Sequence, residues 1–247
     1  TTASNNTAVG QKALQANTTG ATNTAVGANS LKANTTGAEN TAVGKDALDA
    51  NTTGTANVAI GLSSLGSNTT ASDNIAIGVS TMFTNTTGAS NVAVGKRALK
   101  FNTTASNNTA IGHDALTANT TGAENTALGY VALQDNTTGV NNVALGRAAI
   151  GNNIDGNNNA AVGHNALRLN TTGDNNVAVG ISALYNNTAD NNTAVGGSAL
   201  LANTSGTANT AVGALALDTN TTGTELTAVG KSALSTSTGS YNTAMGS

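Results

Sequence analysis

A seventeen-residue pattern of apolar and polar positions runs along the whole chain. Its marker is a Gly preceded by Ala and an aliphatic residue or Met, first at Gly10 and last at Gly246. The markers follow one another at steps of 17 residues as far as Gly180, and then at steps of 16, 17, 17 and 16. Self-similarity at a fixed short period is the signature of stacked repeat architectures. We therefore interpret residues 1–247 as a single repeat array without separate domains.

The segment that leads into each marker, most often Asn-Thr-Ala-Val, is predicted to be a short strand. It is rich in β-branched residues and ends at Gly, as strands bounded by turns do. Successive side chains of a strand face opposite ways, so we expect Thr7 and Val9 on one face and Ala8 on the other. The Ala position holds Ala in every repeat, up to Ala244. This indicates close packing of the Ala column, either against a segment of its own coil or against another chain.

The rest of the unit contains a second apolar segment and a turn. A large aliphatic residue stands four positions after the marker, as at Leu14, Leu31 and Met82. The segment around it, x-x-Ala-Leu-x-x, is expected to be a second short strand or one turn of a 3₁₀- or α-helix, because Ala and Leu favour helices. The Asn-Thr-Thr-Gly that follows is typical of a turn, in which Asn bonds to its own backbone and Gly is expected at positive φ.

A single unit of seventeen residues is too short to enclose a core, so stacking of units is required. If each unit is one coil, its strand pairs with the strands of the coils above and below it at a spacing of about 4.8 Å. We therefore predict an all-β fold, a parallel β-solenoid of about fourteen coils in which Val stacks on Val, Leu on Leu and Asn on Asn. The 16-residue steps are expected to lose one turn residue, for instance within Asn187-Thr188-Ala189.

Composition changes this picture mainly by exclusion. Thr and Asn make up about a third of the chain, charged residues only 9%, and there is neither Pro nor Cys. Without Cys there is no disulfide scaffold, no thiolate metal site and no cysteine nucleophile. Nine basic residues and a net charge of −3 argue against nucleic-acid binding. No apolar run approaches a membrane span and no signal segment opens the chain, so a start at Thr1 suggests a mature or excised piece.

Candidate chemistry is sparse, because charged residues lie almost only at the variable positions of the repeat. His113 and His164 share a column three coils apart, about 14 Å along the predicted stack and too far to share a metal ion. Asp174 and Asp190 share a column on adjacent coils but lack the further ligands that calcium requires. We therefore predict no enzymatic activity, no catalytic, cofactor-binding or metal-binding residue, and no cofactor.

Two other patterns leave alternatives open. The Asn-x-Thr sequence matches N-glycosylation acceptors, but Asn at these positions is also expected in turns and ladders. Regular Thr columns such as Thr18-Thr19 would allow ice binding, although consecutive threonines of a turn do not form a flat array with two columns. The Asn-x-Thr matches include Asn5, Asn17, Asn34, Asn51, Asn85, Asn107, Asn119 and Asn191.

The motif Asn-Thr-Ala-Val-Gly-x-x-Ala-Leu-x-x-Asn-Thr-Thr-Gly resembles the repeat regions of phage tail-fibre and related extracellular fibre proteins. More distantly it is similar to the head repeats of trimeric autotransporter adhesins, whose unit is shorter. The resemblance covers the whole chain and implies a homotrimeric β-rod outside the cell, at the cell surface or on a virion. It also implies self-association, as a homotrimer or an end-to-end filament.

Our leading hypothesis is therefore a structural protein that forms the rigid shaft of an extracellular fibre or filament and contacts cell-surface glycans. We expect neither nucleic-acid binding nor membrane insertion. The alternative hypothesis is an ice-binding or glycan-binding solenoid module.

Overall fold

The computed structural model describes residues 3–236 and 239–246 and confirms the predicted β-solenoid. Each coil of about 17 residues contributes one parallel strand of three residues, and each strand ends at the residue before a marker Gly. The strands are β1 Thr7–Val9, β2 Thr24–Val26, β3 Thr41–Val43, β4 Val58–Ile60, β5 Ile75–Ile77, β6 Val92–Val94, β7 Thr109–Ile111, β8 Thr126–Leu128, β9 Val143–Leu145, β10 Ala160–Val162, β11 Val177–Val179, β12 Thr193–Val195, β13 Thr210–Val212, β14 Thr227–Val229 and β15 Thr243–Met245.

The chain forms two compact units, Thr1–Glu124 with β1 to β7 and Asn125–Ser247 with β8 to β15. Within each unit every strand pairs with the next one in sequence, and equivalent residues of the repeat lie opposite each other. In the first unit Ala42 pairs with Ala59. In the second unit the register survives the first 16-residue step, where Val177 pairs with Thr193. The predicted loss of one turn residue is thus confirmed at this step, and the strands stay in register. The last 16-residue step includes residues 237 and 238, which lie outside the described residues.

The interior of each coil is lined by Ala, a large aliphatic residue and Asn. The strand residue Ala42 is fully buried, and so are Leu48 of the second segment and Asn51 of the turn. The β-branched residues on either side of Ala42 point outward and are only half-buried. The Ala column is therefore packed inside its own coil, the first of the two alternatives. The prediction of a homotrimer stays a prediction.

The second segment is neither a strand nor a helical turn, and the described residues contain no helix. Asp46 and Leu48 have φ values of 57° and 51°, whereas helices need negative φ throughout. The N–H of Ala47 donates to the oxygen of Gly44 at 3.4 Å, which closes a tight turn. The N–H of Leu48 donates to the oxygen of Ser64 in the next coil at 3.0 Å. Bonds between coils thus override the helix propensity of Ala and Leu, and both expectations for this segment were wrong.

The glycine with positive φ is the marker, not the glycine of the Asn-Thr-Thr-Gly turn. Gly44 has a φ of 138°, and a Cβ there would lie 2.5 Å from the oxygen of Gly61. The turn glycines lack positive φ, so that expectation was wrong; Ala even replaces Gly at this position in three coils, at Ala71, Ala105 and Ala189. Close approach of neighbouring coils favours Gly in the turn, since a Cβ on Gly54 would lie 2.3 Å from a backbone oxygen.

Candidate functional site

The first Asn of each Asn-Thr-Thr turn belongs to a buried ladder, which we call the turn ladder. In the first unit Asn51 donates from Nδ2 to Oδ1 of Asn34 at 2.8 Å and to the oxygen of Gly54 at 3.0 Å. Its own Oδ1 accepts a hydrogen bond from Nδ2 of Asn68 at 2.9 Å. This amide therefore bridges to both neighbouring coils and also closes its own turn. The predicted stacking of Asn on Asn is confirmed.

A second ladder, the strand ladder, is formed by the Asn before each strand. The backbone N–H of Asn57 donates to Oδ1 of Asn40 at 3.0 Å. Its Nδ2 donates to the oxygen of Ala71 at 2.9 Å, and the same oxygen accepts a bond from Asn68 of the turn ladder at 3.0 Å. The two ladders therefore converge on one turn carbonyl in each coil. Burial of so many amides is tolerated because they are hydrogen-bonded.

The ladders divide the Asn-x-Thr matches into two groups, apart from Asn17 of the first coil, which belongs to the turn ladder but is only half-buried. Asn34, Asn51, Asn85 and Asn119 are fully buried, which confirms their interpretation as turn and ladder residues. An oligosaccharide on such a side chain is incompatible with the folded coil, because the amide has no access to solvent. The Asn-Asn-Thr matches differ, since their first Asn is exposed at all three positions. These are Asn5, Asn107 and Asn191.

The acidic pair of the second unit, Asp174 and Asp190, accepts hydrogen bonds from backbone N–H groups. Asp174 accepts the N–H of Asn157 at 2.6 Å, and Asp190 accepts the N–H of Asp174 at 2.8 Å. In the first unit the hydroxyl of Ser72 accepts the N–H of Thr55 in the same way. The pair thus continues a structural column, and no group of three His, Asp or Glu residues suited to a metal ion occurs in the described part of the chain.

One cluster of charged side chains joins two coils of the first unit. Arg97 donates to both carboxylate oxygens of Asp114, at 2.7 Å from Nε and 2.6 Å from Nη2. Nδ1 of His113 lies 2.9 Å from Oδ2 of the same carboxylate. The Asp114 side chain is almost buried, and Thr117 also donates to it at 3.4 Å. The carboxylate is occupied by these partners, so the cluster fits a role in holding the two coils together.

The outer strand face consists of the first and third residues of every strand, whose side chains point away from the coil. In β4 and β5 the third residues, Ile60 and Ile77, are 38% and 37% exposed. Across all repeats this face holds only Thr, Val, Ile, Leu, Ala and Met. The alternation of strand side chains placed these two columns on one face, but it did not show that this face is the outer one; the signal for that was the absence of charge from both columns.

The two threonines of the turn differ in their hydrogen bonds. The hydroxyl of Thr18 donates to the backbone oxygen of Thr35 in the next coil at 2.9 Å, and the equivalent bond recurs between Thr35 and Thr52 at 3.0 Å. The first threonine of the turn is therefore engaged within the solenoid, and only the second, such as Thr19, is simply exposed. The expected lack of a flat two-column array at Thr18-Thr19 stays a prediction.

One shallow hollow lies on the first coil and is lined by residues of the core columns. Its lining includes Ala8, Ala13, Leu14 and Asn17. None of these side chains is a general acid, a base or a strong nucleophile, so the hollow offers no catalytic chemistry.

No long apolar helix of the kind that crosses a membrane occurs in residues 3–236 and 239–246. Comparisons with family models, with curated proteins and with solved structures find no match to this chain.

Proposed function

We propose that this protein is a structural element, the rigid shaft of a fibre or filament. The observation that carries the proposal is the pair of buried Asn ladders, which tie each coil to its neighbours by side-chain bonds in addition to the strand pairing. Asn51, for example, has all three of its side-chain bonds inside the stack, two of them to the neighbouring coils. Stiffness along the stack is the property that such an arrangement provides.

The backbone supports the same proposal. In each coil the second segment also bonds to its neighbours, as in the bond from Leu48 to Ser64 at 3.0 Å. Coils of this kind contact only the coils next to them, so length can grow by repetition without a new core. The resemblance to repeats of extracellular fibres further supports a place outside the cell, at the cell surface or on a virion.

Single-molecule stretching of the full chain between its ends tests the proposal. A shaft is expected to resist force until whole coils detach, and each event should lengthen the tether by roughly 50–60 Å, the extended length of seventeen residues. A chain that extends smoothly, without regular steps, at the forces that stretch unstructured polypeptides would show that the coils give no mechanical resistance and would refute a shaft.

A matched pair of variants links the resistance to the ladders. Asn51→Asp removes both donors from a fully buried amide and places a carboxylate beside Oδ1 of Asn34, so the coils around it should detach at lower force. Asn107→Asp makes the same chemical change at an exposed position and should leave the force pattern unchanged. Equal force patterns for the two variants would mean that the turn ladder does not carry the resistance.

A further inference from the structure

The turn side of the stack changes where the repeat first shortens from 17 to 16 residues, in the second unit. The short coil has the turn Asn187-Thr188-Ala189, which lacks the second Thr of the usual Asn-Thr-Thr-Gly. Ala189 takes the place of the turn glycine, because its oxygen accepts hydrogen bonds from Nδ2 of Asn176 at 2.8 Å and of Asn187 at 2.7 Å. The residue is therefore lost from the exposed tip of the turn.

This loss interrupts the hydrogen bonds of the turn backbone on the side of the preceding coil. In a regular turn of the same unit, Thr137 donates to the oxygen of Ile154 from its N–H at 2.9 Å and from its hydroxyl at 3.0 Å. Thr204 donates to the coil after it in the same two ways, at 2.9 and 3.0 Å. Thr171 precedes the short coil, and among the described residues neither its N–H nor its hydroxyl has the equivalent partner.

The turn ladder is interrupted at the same place. Nδ2 of Asn170 donates to Oδ1 of Asn153 in the coil before it at 3.2 Å, as is usual in this ladder. Oδ1 of Asn170 is buried and has no hydrogen-bond partner in the described part of the chain, since Nδ2 of Asn187 donates within its own turn instead. A buried acceptor without a donor costs free energy. One N–H, one hydroxyl and one amide oxygen of this turn thus lack the bonds that their equivalents make.

The other sides of the same two coils stay joined. Strands β11 and β12 pair in the register of the repeat. The N–H of Leu167 donates to the oxygen of Ala183 at 2.9 Å, and the N–H of Asn191 donates to the oxygen of Asp174 at 3.0 Å. The two coils are therefore separated on one side only, between residues 170–173 and 187–189, which we call the turn seam.

We propose that the turn seam opens while the rest of the second unit stays folded. Local opening of a folded protein concentrates where few hydrogen bonds hold the backbone. In a stack whose coils contact only their neighbours, bonds that are lost at one junction are not replaced by contacts with distant coils. The proposal extends the proposed function, because it names a weak junction of the shaft, but it rests on the hydrogen bonds of the coils alone.

Hydrogen exchange resolved to single amides in the full chain tests the proposal. The N–H of Thr171 should exchange at least about 30-fold faster than those of Thr137 and Thr204, because it is released by opening of the seam and not by detachment of a coil. Equal protection of the three amides would overturn the proposal.

A pair of insertions tests whether the length of the turn is the cause. One Thr inserted between Thr188 and Ala189 restores the usual turn and the 17-residue step. This variant should protect the N–H of Thr171 as regular turns are protected, and it should melt at a higher temperature than the wild-type chain. One Thr inserted between Thr204 and Ser205 lengthens a regular turn and should lower the melting temperature. Equal effects of the two insertions, or a folded first variant with Thr171 still unprotected, would overturn the proposal.

Deletion of Thr53 reproduces the short turn in the first unit. The N–H of Thr35 donates to the oxygen of Thr52 at 2.9 Å and should lose its protection in this variant, whereas the N–H of Thr18, one coil away, should keep it. Unchanged exchange at Thr35 would overturn the link between turn length and opening. Hydrogen exchange is measured without force, so failure of these tests leaves the shaft proposal to the stretching experiment.

Discussion

Backbone conformation at single residues is the least ordinary feature of this protein. In the coil that contains β3, the non-glycine residues Glu39, Asp46 and Leu48 all have φ between 51° and 60°. Such φ values are uncommon outside Gly, Asn and Asp, and a leucine there is unusual. They persist because backbone bonds to the neighbouring coils and burial of Leu48 fix the local conformation from both sides.

The marker glycines are expected to be indispensable, and the second unit offers a matched pair to test this. Gly213 has a φ of 135°, and a Cβ there would lie 2.4 Å from the oxygen of Gly230. Gly213→Ala should therefore lower the free energy of unfolding by at least about 3 kcal/mol. Gly197 has no positive φ, and a Cβ on it would meet nothing within 4 Å. Gly197→Ala should raise stability by about 0.4–1 kcal/mol. Chemical denaturation measures both; similar losses in the two variants would contradict this role of the marker.

A half-buried carboxylate should make stability depend on pH. Burial, and next the carboxylate of Asp46, raise the pKa of Asp49 above its ordinary value of 3.8, against the opposing effects of backbone N–H groups and Lys32. Below the unfolded pKa the group is neutral in both states and costs nothing. As the pH rises through the folded pKa, the folded protein must hold a poorly hydrated charge, so stability falls.

Asp49→Asn removes this cost. The variant is therefore expected to be more stable than the wild-type chain only at pH values above the folded pKa of Asp49. At pH 7 the midpoint of thermal unfolding should rise by roughly 1–2 °C, a small value because partial exposure screens the charge. At pH 3 the variant and the wild-type chain should melt together. Asp73→Asn makes the same chemical change at an exposed position and serves as the control. If the unfolding midpoints of the Asp49→Asn variant and the wild-type chain differed equally at pH 3 and pH 7, the charge of the carboxylate would not be the cause of the difference.

Among the elements, strands and turns differ in how strictly their length is fixed. The strand is three residues long in every coil, and its Ala must face inward, so a change of one residue would turn Ala outward. The turn is more tolerant. Asn187 lies in a turn that is one residue shorter, yet its Nδ2 still reaches the oxygen of Ala189 at 2.7 Å and its Oδ1 still accepts from Asn203 at 2.7 Å. The turn ladder is interrupted at this step, because Nδ2 of Asn187 donates only within its own turn and the buried Oδ1 of Asn170 has no hydrogen-bond partner. The strand ladder continues, since the N–H of Asn192 donates to Oδ1 of Asn176 at 2.9 Å, and it is this ladder that spans the shorter coil.

For the whole molecule, the period alone was sufficient to predict the solenoid, the parallel register and the stacking of Asn. These features follow from translation of one unit, which the sequence displays directly. The conformation within the unit was not predictable in the same way. Leu48 has high helix propensity, and nothing local indicates that its N–H bonds to Ser64 in the next coil. Likewise, the alternation of side chains along a strand shows that Thr41 and Val43 lie on the face opposite to Ala42. It does not show that the face with the smaller side chain, Ala42, is the one that faces the core.

The coil is also expected to be the unit of stability. Deletion of residues 45–61 removes one full period and joins Gly44 to Leu62, so β3 would meet β5 with Thr41 opposite Ile75, in the register of the repeat. Because a coil contacts only its neighbours, the shortened chain should fold, and its denaturant m-value should fall by about 7%, one coil in fourteen.

Deletion of residues 45–53, about half a period, is the control for that experiment. It removes fewer residues but places the inward Ala and the ladder Asn out of phase with the neighbouring coils, so it should cost much more stability than deletion of the full period. Urea denaturation followed by circular dichroism gives the midpoint and m-value of both chains. If the two deletions proved equally damaging, stability would depend on the particular residues removed and not on the phase of the repeat.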